Sequence, residues 1–503
     1  MSYVPSRRWC MSGRGGPDRW PSSEITTHSG CEGEGTGENG LPACASYLPH
    51  EIWIAAIVES GGVLNSKQPR ARPHVFLITC HDLGRYLGCY GVQTLDTPHL
   101  DGLAAAGIRF SNAFSTASGC SPARTALATG RYPHSAGVMG LAHLPFGWDL
   151  AAGERHAAEI LGAAGYETHL FGLQHVSMHI ERLGFQHVHP FEGTALSEGV
   201  SSQIADFLGS SLSGEPLYVE VNLEEVHRPY GEGNAFLNVK HDMDIPAYLP
   251  SDSSSRLEFS ALHEDVQQAD AGVGRVLKSL DEAGLAVDTL VIFTTDHGLA
   301  MPRAKCTLYD PGIEIALLMR WPQGGLPEAL VVGGLVSNVD VLPTLLEILG
   351  VPMPGDVQGR SFLPLLRGES IAGRAAVYAE KTYHSYYDPM RAIRTERHKY
   401  IRNFETSFAV EVPGDVQLGS IFREHVELYH GSQHPPTELY DLHADPLEQR
   451  NVAGGESHVE IERELDSELW TWMEQTDDPL LAGPVVSPSY REALEARTRV
   501  GSE

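Results

Sequence analysis

Three short stretches, HVFLIT (74–79), PLYVEVN (216–222) and TLVIFTT (289–295), are almost continuously apolar. A strand with one wet face alternates apolar and polar residues, whereas a strand covered on both faces does not, so each stretch reads as a buried parallel strand. Between the second and third lies FSALHEDVQQADAGVGRVLKSL, in which Phe259, Leu262, Val266, Ala269, Val273, Val276, Leu277 and Leu280 step by threes and fours along one helical face. Strands alternating with helices predict an α/β fold, a wound sheet sandwiched by helices, over residues 73–368. The stretch PLLRGESIAG (364–373) separates the helix-like VDVLPTLLEILG from a new strand, AAVYAE. RAIRT, KYIRN and ELYDL then read as short antiparallel strands followed by a helix near 460–474, predicting a smaller C-terminal α+β domain over 374–480 and a tail over 481–503. Residues 1–72 are rich in Gly, Ser, Pro and charge, with little periodicity before LPHEIWIAAIVES. They predict a disordered extension, or a mistaken start site upstream of the true one. No repeat of solenoid length is present.

Composition narrows the function. The chain has 503 residues, 42% of them apolar, and 36 Lys plus Arg against 65 Asp plus Glu for a net charge of −29. Such a surface offers no basic footprint for nucleic acid or acidic lipid, so neither is an expected partner. A small anion held in a local basic pocket remains possible, because charges beyond roughly 8 Å are screened at physiological salt. The seven cysteines show no CxxC pair and no zinc spacing, which argues against a disulfide framework or a structural zinc finger. The apolar run Ile52–Val58 is far shorter than the ~20 residues a spanning helix needs, and no signal-peptide pattern precedes it. The expectation is a soluble, cytoplasmic protein.

Ligands of open α/β sheets bind beyond the carboxyl ends of the strands. Asp82 follows the first strand in HVFLITCHD, and Asp296 with His297 follows the third in TLVIFTTDHG. Either aspartate alone is as readily a turn or cap residue, but carboxylates at two strand ends together suit a hard divalent cation. Cys120, in GCSPARTALATGRYPH, precedes a helix with Pro122 in its first turn. The helix N-terminus and Arg124 favour an anion at that position. A buried, inert cysteine is the plainer alternative.

CSPARTALATGRYP resembles the Cys-x-Pro-x-Arg signature and Thr-Gly-Arg continuation of the sulfatase family, in the alkaline-phosphatase-like superfamily. HDLGRYLGCYG, LDTPHLDGLAAAGIRFSNAF, TTDHG, AKCTLYDPGIE, SNVDVLPTLLEILGVPMPGDVQGRSFLPLL and ELYDLHADPLEQRN extend the resemblance over residues 74 to about 453. EKTYHSYYDPMRAIRT and ELYDLHADP look most like the heparan N-sulfatase branch. The resemblance implies that Cys120 is converted to formylglycine by a formylglycine-generating enzyme. It implies one divalent cation, Ca²⁺ first, on Asp82, Cys120, Asp296 and His297. Arg124 would orient the aldehyde hydrate and His175 would act beside it as a base. His227 and Lys305 would hold sulfate and assist the leaving group, and His384 and Arg391 would contact the sugar. The substrate would be a small sulfated sugar such as N-sulfoglucosamine; oligomeric state is left open. Two positions depart from the family pattern: His81 stands where an aspartate is usual, and Leu173 where a lysine is usual. The alternatives are a phosphonate or phosphodiester hydrolase of the same superfamily, and a catalytically inactive sulfatase-like binding protein.

Overall fold

The computed structural model describes residues 72–191, 196–231, 242–369 and 372–500; the N-terminal extension and LPHEIWIAAIVES lie outside them. Fourteen strands are found there: β1 (His74–Cys80), β2 (Ile108–Phe110), β3 (Ala113–Phe114), β4 (Glu167–Gly172), β5 (His187–His189), β6 (Leu217–Asn222), β7 (Thr289–Thr295), β8 (Leu317–Arg320), β9 (Leu330–Val332), β10 (Val336–Ser337), β11 (Ala376–Tyr383), β12 (Tyr387–Thr395), β13 (His398–Asn403) and β14 (Thr437–Asp441). Eight of them form the main sheet in the order β5-β4-β6-β1-β7-β8-β2-β9. β5, β4, β6, β1 and β7 are mutually parallel, with Val75 opposite Tyr218 on one side of β1 and Leu290 on the other. β8 runs antiparallel to both its neighbours, so the sheet is mixed, a feature the apolar pattern does not announce.

Alternate residues of β1 feed two different cores. Phe76 and Ile78 pack with Phe259, Val266 and Val273 of the helix Ser253–Glu282, while Val75 and Leu77 pack with Leu127, Ile160 and Leu345 on the opposite face. Both faces are therefore dry, which explains the unbroken hydrophobicity of the strand. Each such side chain contributes roughly 1.5–3 kcal/mol by leaving water. Asp252 begins the long helix by accepting hydrogen bonds from the Ser254 and Ser255 N–H groups. The apolar steps read from the sequence are its buried stripe, except Leu277, which is partly buried. Gly272 lets this helix close on its neighbour: a Cβ there would stand 2.5 Å from Ser197 Cβ.

The C-terminal strands β11 to β14 form a four-stranded antiparallel sheet. The helix Val459–Gln475 covers it with Leu465, Leu469, Trp472 and Met473 against Ile393, Tyr400 and Leu439. All described residues belong to one compact unit. The stretch expected as a tail is partly structured: a 3₁₀ turn covers Pro479–Ala482, a helix covers Pro488–Val500, and Tyr383 Oη donates to the Val485 carbonyl at 2.8 Å. Among the described residues no helix is long and apolar enough to cross a membrane.

Candidate active site

Because β4, β6, β1 and β7 are parallel neighbours, the residues just past their ends meet along one edge. β4 leads to His175, β6 to His227, β1 to His81 and Asp82, and β7 to Asp296 and His297. Cys120 faces them from the first turn of the helix Cys120–Thr129, all of whose residues are buried. Gly119 precedes it without a side-chain cap, and Gly130 closes the helix at φ +67° in the left-handed region that suits glycine. The partial positive charge of an uncapped helix start is thereby turned on residue 120.

Side-chain donor atoms of His81, Asp82, Cys120, Asp296 and His297 all lie within 4.8 Å of one another, and all five residues are buried. Asp296 Oδ1 accepts from the N–H of Asp82 at 3.0 Å and of His297 at 2.9 Å, and its Oδ2 takes Arg124 Nε at 3.0 Å. Asp82 Oδ2 takes Lys305 Nζ at 2.7 Å, while its Oδ1 stands 3.0 Å from both His81 Nδ1 and His297 Nε2. Asp82 adopts φ +55°, uncommon for a residue with a Cβ and a source of about 1–3 kcal/mol of strain. Such strain concentrates where function requires a particular side-chain direction.

The electrostatics favour negative charge at residue 120. Burial opposes ionisation of the Cys120 thiol, but His81 and Lys305 outweigh it, and the pKa falls well below the usual value. Burial also opposes a charged His81, yet Cys120, Asp296 and Asp82 push that imidazole up to about 10. His175, His297 and His384 all stand beside the Cys120 side chain. Burial lowers the pKa of His175, leaving a neutral imidazole beside residue 120.

The sequence-derived residues therefore converge, with one correction. Arg391, expected on the sugar, is fully buried in the C-terminal sheet. Its Nε and Nη2 donate to Asp478 at 2.6 and 3.0 Å, and its Nη1 donates to the Lys381 carbonyl at 2.9 Å. With the Met390 carbonyl, which Nη1 also reaches at 2.9 Å, four acceptor atoms occupy the guanidinium, so it clasps the C-terminal elements together. His384 does reach the site, but at Cys120 itself, beside Cys306 and Glu411. His81, a departure from the usual aspartate, sits inside the donor cluster. Leu173 packs against the main core and supplies no charge, so Arg124 and Lys305 are the site's guanidinium and ammonium cations. Asp415 was not foreseen. It contacts Lys305 Nζ at 2.9 Å and has a carboxylate oxygen within 4.8 Å of a His227 nitrogen. Its setting, EVPGDVQ, carries no local mark of chemistry, since only tertiary folding brings it to Lys305.

The structure thus combines an α/β sheet of alkaline-phosphatase-like architecture with carboxylates, imidazoles and a helix-start cysteine gathered beyond its strand ends. The chain belongs to the sulfatase family, whose model matches residues 73–351, and a model for the N-sulphoglucosamine sulphohydrolase C-terminal region matches residues 297–415. It is 28% identical over 477 residues to human (Homo sapiens) N-sulphoglucosamine sulphohydrolase, covering 82% of this chain and 93% of that protein. Among solved structures, a 2-O glycosaminoglycan sulfatase superposes with TM-score 0.63 at 21% identity over 84% of this chain and 100% of its own. The phosphonate monoester hydrolase of Agrobacterium radiobacter superposes with TM-score 0.62 at 20% identity over 82% of this chain and 97% of its own.

Proposed function

We propose that this sulfatase releases sulfate from a terminal sulfated sugar, with N-sulfoglucosamine as the leading substrate. It would use formylglycine made from Cys120 and one divalent cation. The observation that carries this reading is the placement of Cys120 at a buried helix start, in one buried donor cluster with His81, Asp82, Asp296 and His297. A cation fits: His81 Nδ1, Asp82 Oδ1 and His297 Nε2 are buried without hydrogen-bond partners and converge, the condition a bound ion would relieve. Asp82, Asp296, His297 and the oxygen of modified residue 120 would hold it, with His81 as a further donor. Oxygen donors make Ca²⁺ the first choice, and the two imidazoles make Mn²⁺ its competitor. When bound, the cation supplies Lewis-acid activation, and the aldehyde hydrate supplies a nucleophile able to free itself from sulfate.

The chain's own groups do the rest. Arg124 keeps Nε on Asp296 and leaves Nη2 buried without a partner, available to an oxygen at residue 120. His175 takes the proton from the second hydroxyl at that residue, and its neutral state suits a base. Lys305 holds a sulfate oxygen, and His227 gives a proton to the departing nitrogen or oxygen. With the imidazoles neutral as ligands, a divalent cation, Arg124 and Lys305 against Asp82, Asp296 and Asp415 would leave one net positive charge. That is the sign needed for a monoanionic sulfate ester or sulfamate. The N-sulfated sugar rests on the human relative, whose name states that substrate, and on the hairpin that brings His384 to the centre.

The test measures sulfate release from N-sulfoglucosamine, glucosamine 6-sulfate and an aryl sulfate, and turnover of a phosphonate monoester. N-sulfoglucosamine is expected to have the highest kcat/KM. Preference for the 6-sulfate or the aryl ester overturns the sugar assignment and leaves the sulfatase. Turnover of the phosphonate alone replaces it with the phosphonate hydrolase reading.

A further inference from the structure

We propose that Glu167, His169 and His187 form a second metal site, away from the buried centre, that takes a divalent ion of the zinc class with water as its remaining ligand. The strands build it. Glu167 and His169 are two residues apart on β4 and share a face, and the parallel register sets His187 of β5 directly opposite His169. The two imidazoles stack with ring centroids 4.6 Å apart and planes 19° apart. His169 Nε2 lies 3.3 Å and His187 Nε2 lies 3.2 Å from the same atom, Glu167 Oε1. Ligand atoms on a tetrahedral zinc ion, with bonds of about 2.0–2.1 Å, are separated by about 3.3–3.4 Å. The two measured separations are those of such an edge, and one donor atom from each of the three residues lies within 4.8 Å of the others.

A second observation points to a ligand. His169 is 3% exposed, yet its Nε2 has no hydrogen-bond partner, because its approach to Glu167 lacks hydrogen-bond geometry. Its other nitrogen is engaged: Nδ1 is 3.0 Å from His189 Nε2. With the Nδ1 proton donated to His189, Nε2 turns its lone pair on the site, as the outer partner of a metal-bound histidine arranges. Ser213 Oγ donates to the other Glu167 oxygen, Oε2, and leaves Oε1 to face the imidazoles. The side chain of His187 is half exposed, which gives an ion entry and water a coordination position. Two imidazoles and one carboxylate select zinc, nickel or copper over calcium or magnesium.

The site joins β4 to the three-residue edge strand β5, and residues 173–186 between them carry His175. A metal here would tie both ends of that segment.

Zinc binding is measured on the full, mature chain, stripped of metal and returned to millimolar Ca²⁺, by equilibrium dialysis with elemental analysis. One equivalent of Zn²⁺ is expected in the wild type and in Asp296→Ala, and none in His187→Ala. His189→Ala is expected to weaken binding about 10–100-fold. Zn²⁺ should raise the Tm of the wild type and leave that of His187→Ala unchanged. Glu167→Gln repeats the test should His187→Ala fold poorly by circular dichroism. No bound Zn²⁺ in the wild type, or equal stoichiometry and affinity in wild type, His187→Ala and Glu167→Gln, overturns the site.

Discussion

Lys305 shows how far one side chain is committed. Its ammonium is buried between Asp82 and Asp415, and burial, which opposes the charge, is outweighed by Asp82, so that its pKa is raised well above the usual value. Lys305→Ala leaves Asp82 buried beside Asp296 without its cation. The expected cost is about 3–5 kcal/mol of unfolding free energy, read by urea denaturation, together with roughly a 10²–10³-fold loss of kcat. Arg391→Met separates the two roles considered for that residue. As a clasp on Asp478 it is expected to lose about 3–5 kcal/mol of stability while the KM of the surviving activity stays constant; a raised KM at unchanged Tm would return it to the sugar. Residue-level legibility followed the motifs. Asp82, Cys120, Arg124, Asp296 and His297 were readable because strand ends and a helix start fix where they point. Arg391 was misplaced because its strand address does not tell which face it occupies, and Asp415 was invisible because its role exists only through Lys305.

At the scale of elements, the long helix Ser253–Glu282 weighs two opposing magnitudes at Gly272. Alanine there gains up to about 1 kcal/mol of helix propensity, but its Cβ would meet Ser197 at 2.5 Å, an overpacking cost of about 1–3 kcal/mol. Gly272→Ala is expected to be neutral to destabilising, read from the urea midpoint, and a stabilised variant would show that the helices can separate freely. The segment after β13 supplies a pH-sensitive contact. Glu411 is fully buried, and although burial alone would raise its pKa, Lys381 at 2.9 Å and the His384 imidazole at 3.7 Å bring it from 4.5 to about 2. A carboxyl held more acidic in the folded state contributes stability that is complete above pH 4.5 and is lost as the pH falls towards about 2. Unfolding free energy measured across that window should fall more steeply for the wild type than for Glu411→Gln; parallel curves would contradict the assignment. The apolar runs read from the sequence are β1, β6 and β7. The antiparallel β8 was not legible, since LLM is apolar whichever way the strand runs.

For the whole molecule, the sheet edge and the C-terminal hairpin meet at residue 120, and the net charge of −29 offers no extended track for a polyanion. Both facts agree with a small or terminal sugar as substrate. The change from parallel to antiparallel patterning near residue 370 was legible in composition, but the joining of the two sheets was not, because it rests on contacts such as Glu380 Oε1 accepting from the His134 N–H at 2.7 Å. The proposed chemistry makes sulfate release depend on a modified Cys120. Its most direct test uses preparations made with graded amounts of a formylglycine-generating enzyme, in which the converted fraction of the Cys120 peptide is measured by mass spectrometry beside sulfate release per mole of protein. Specific activity should rise in proportion to the converted fraction and vanish in Cys120→Ala. Full activity with an unmodified thiol, or complete conversion with no sulfate released from any of the three sulfated substrates, would contradict it.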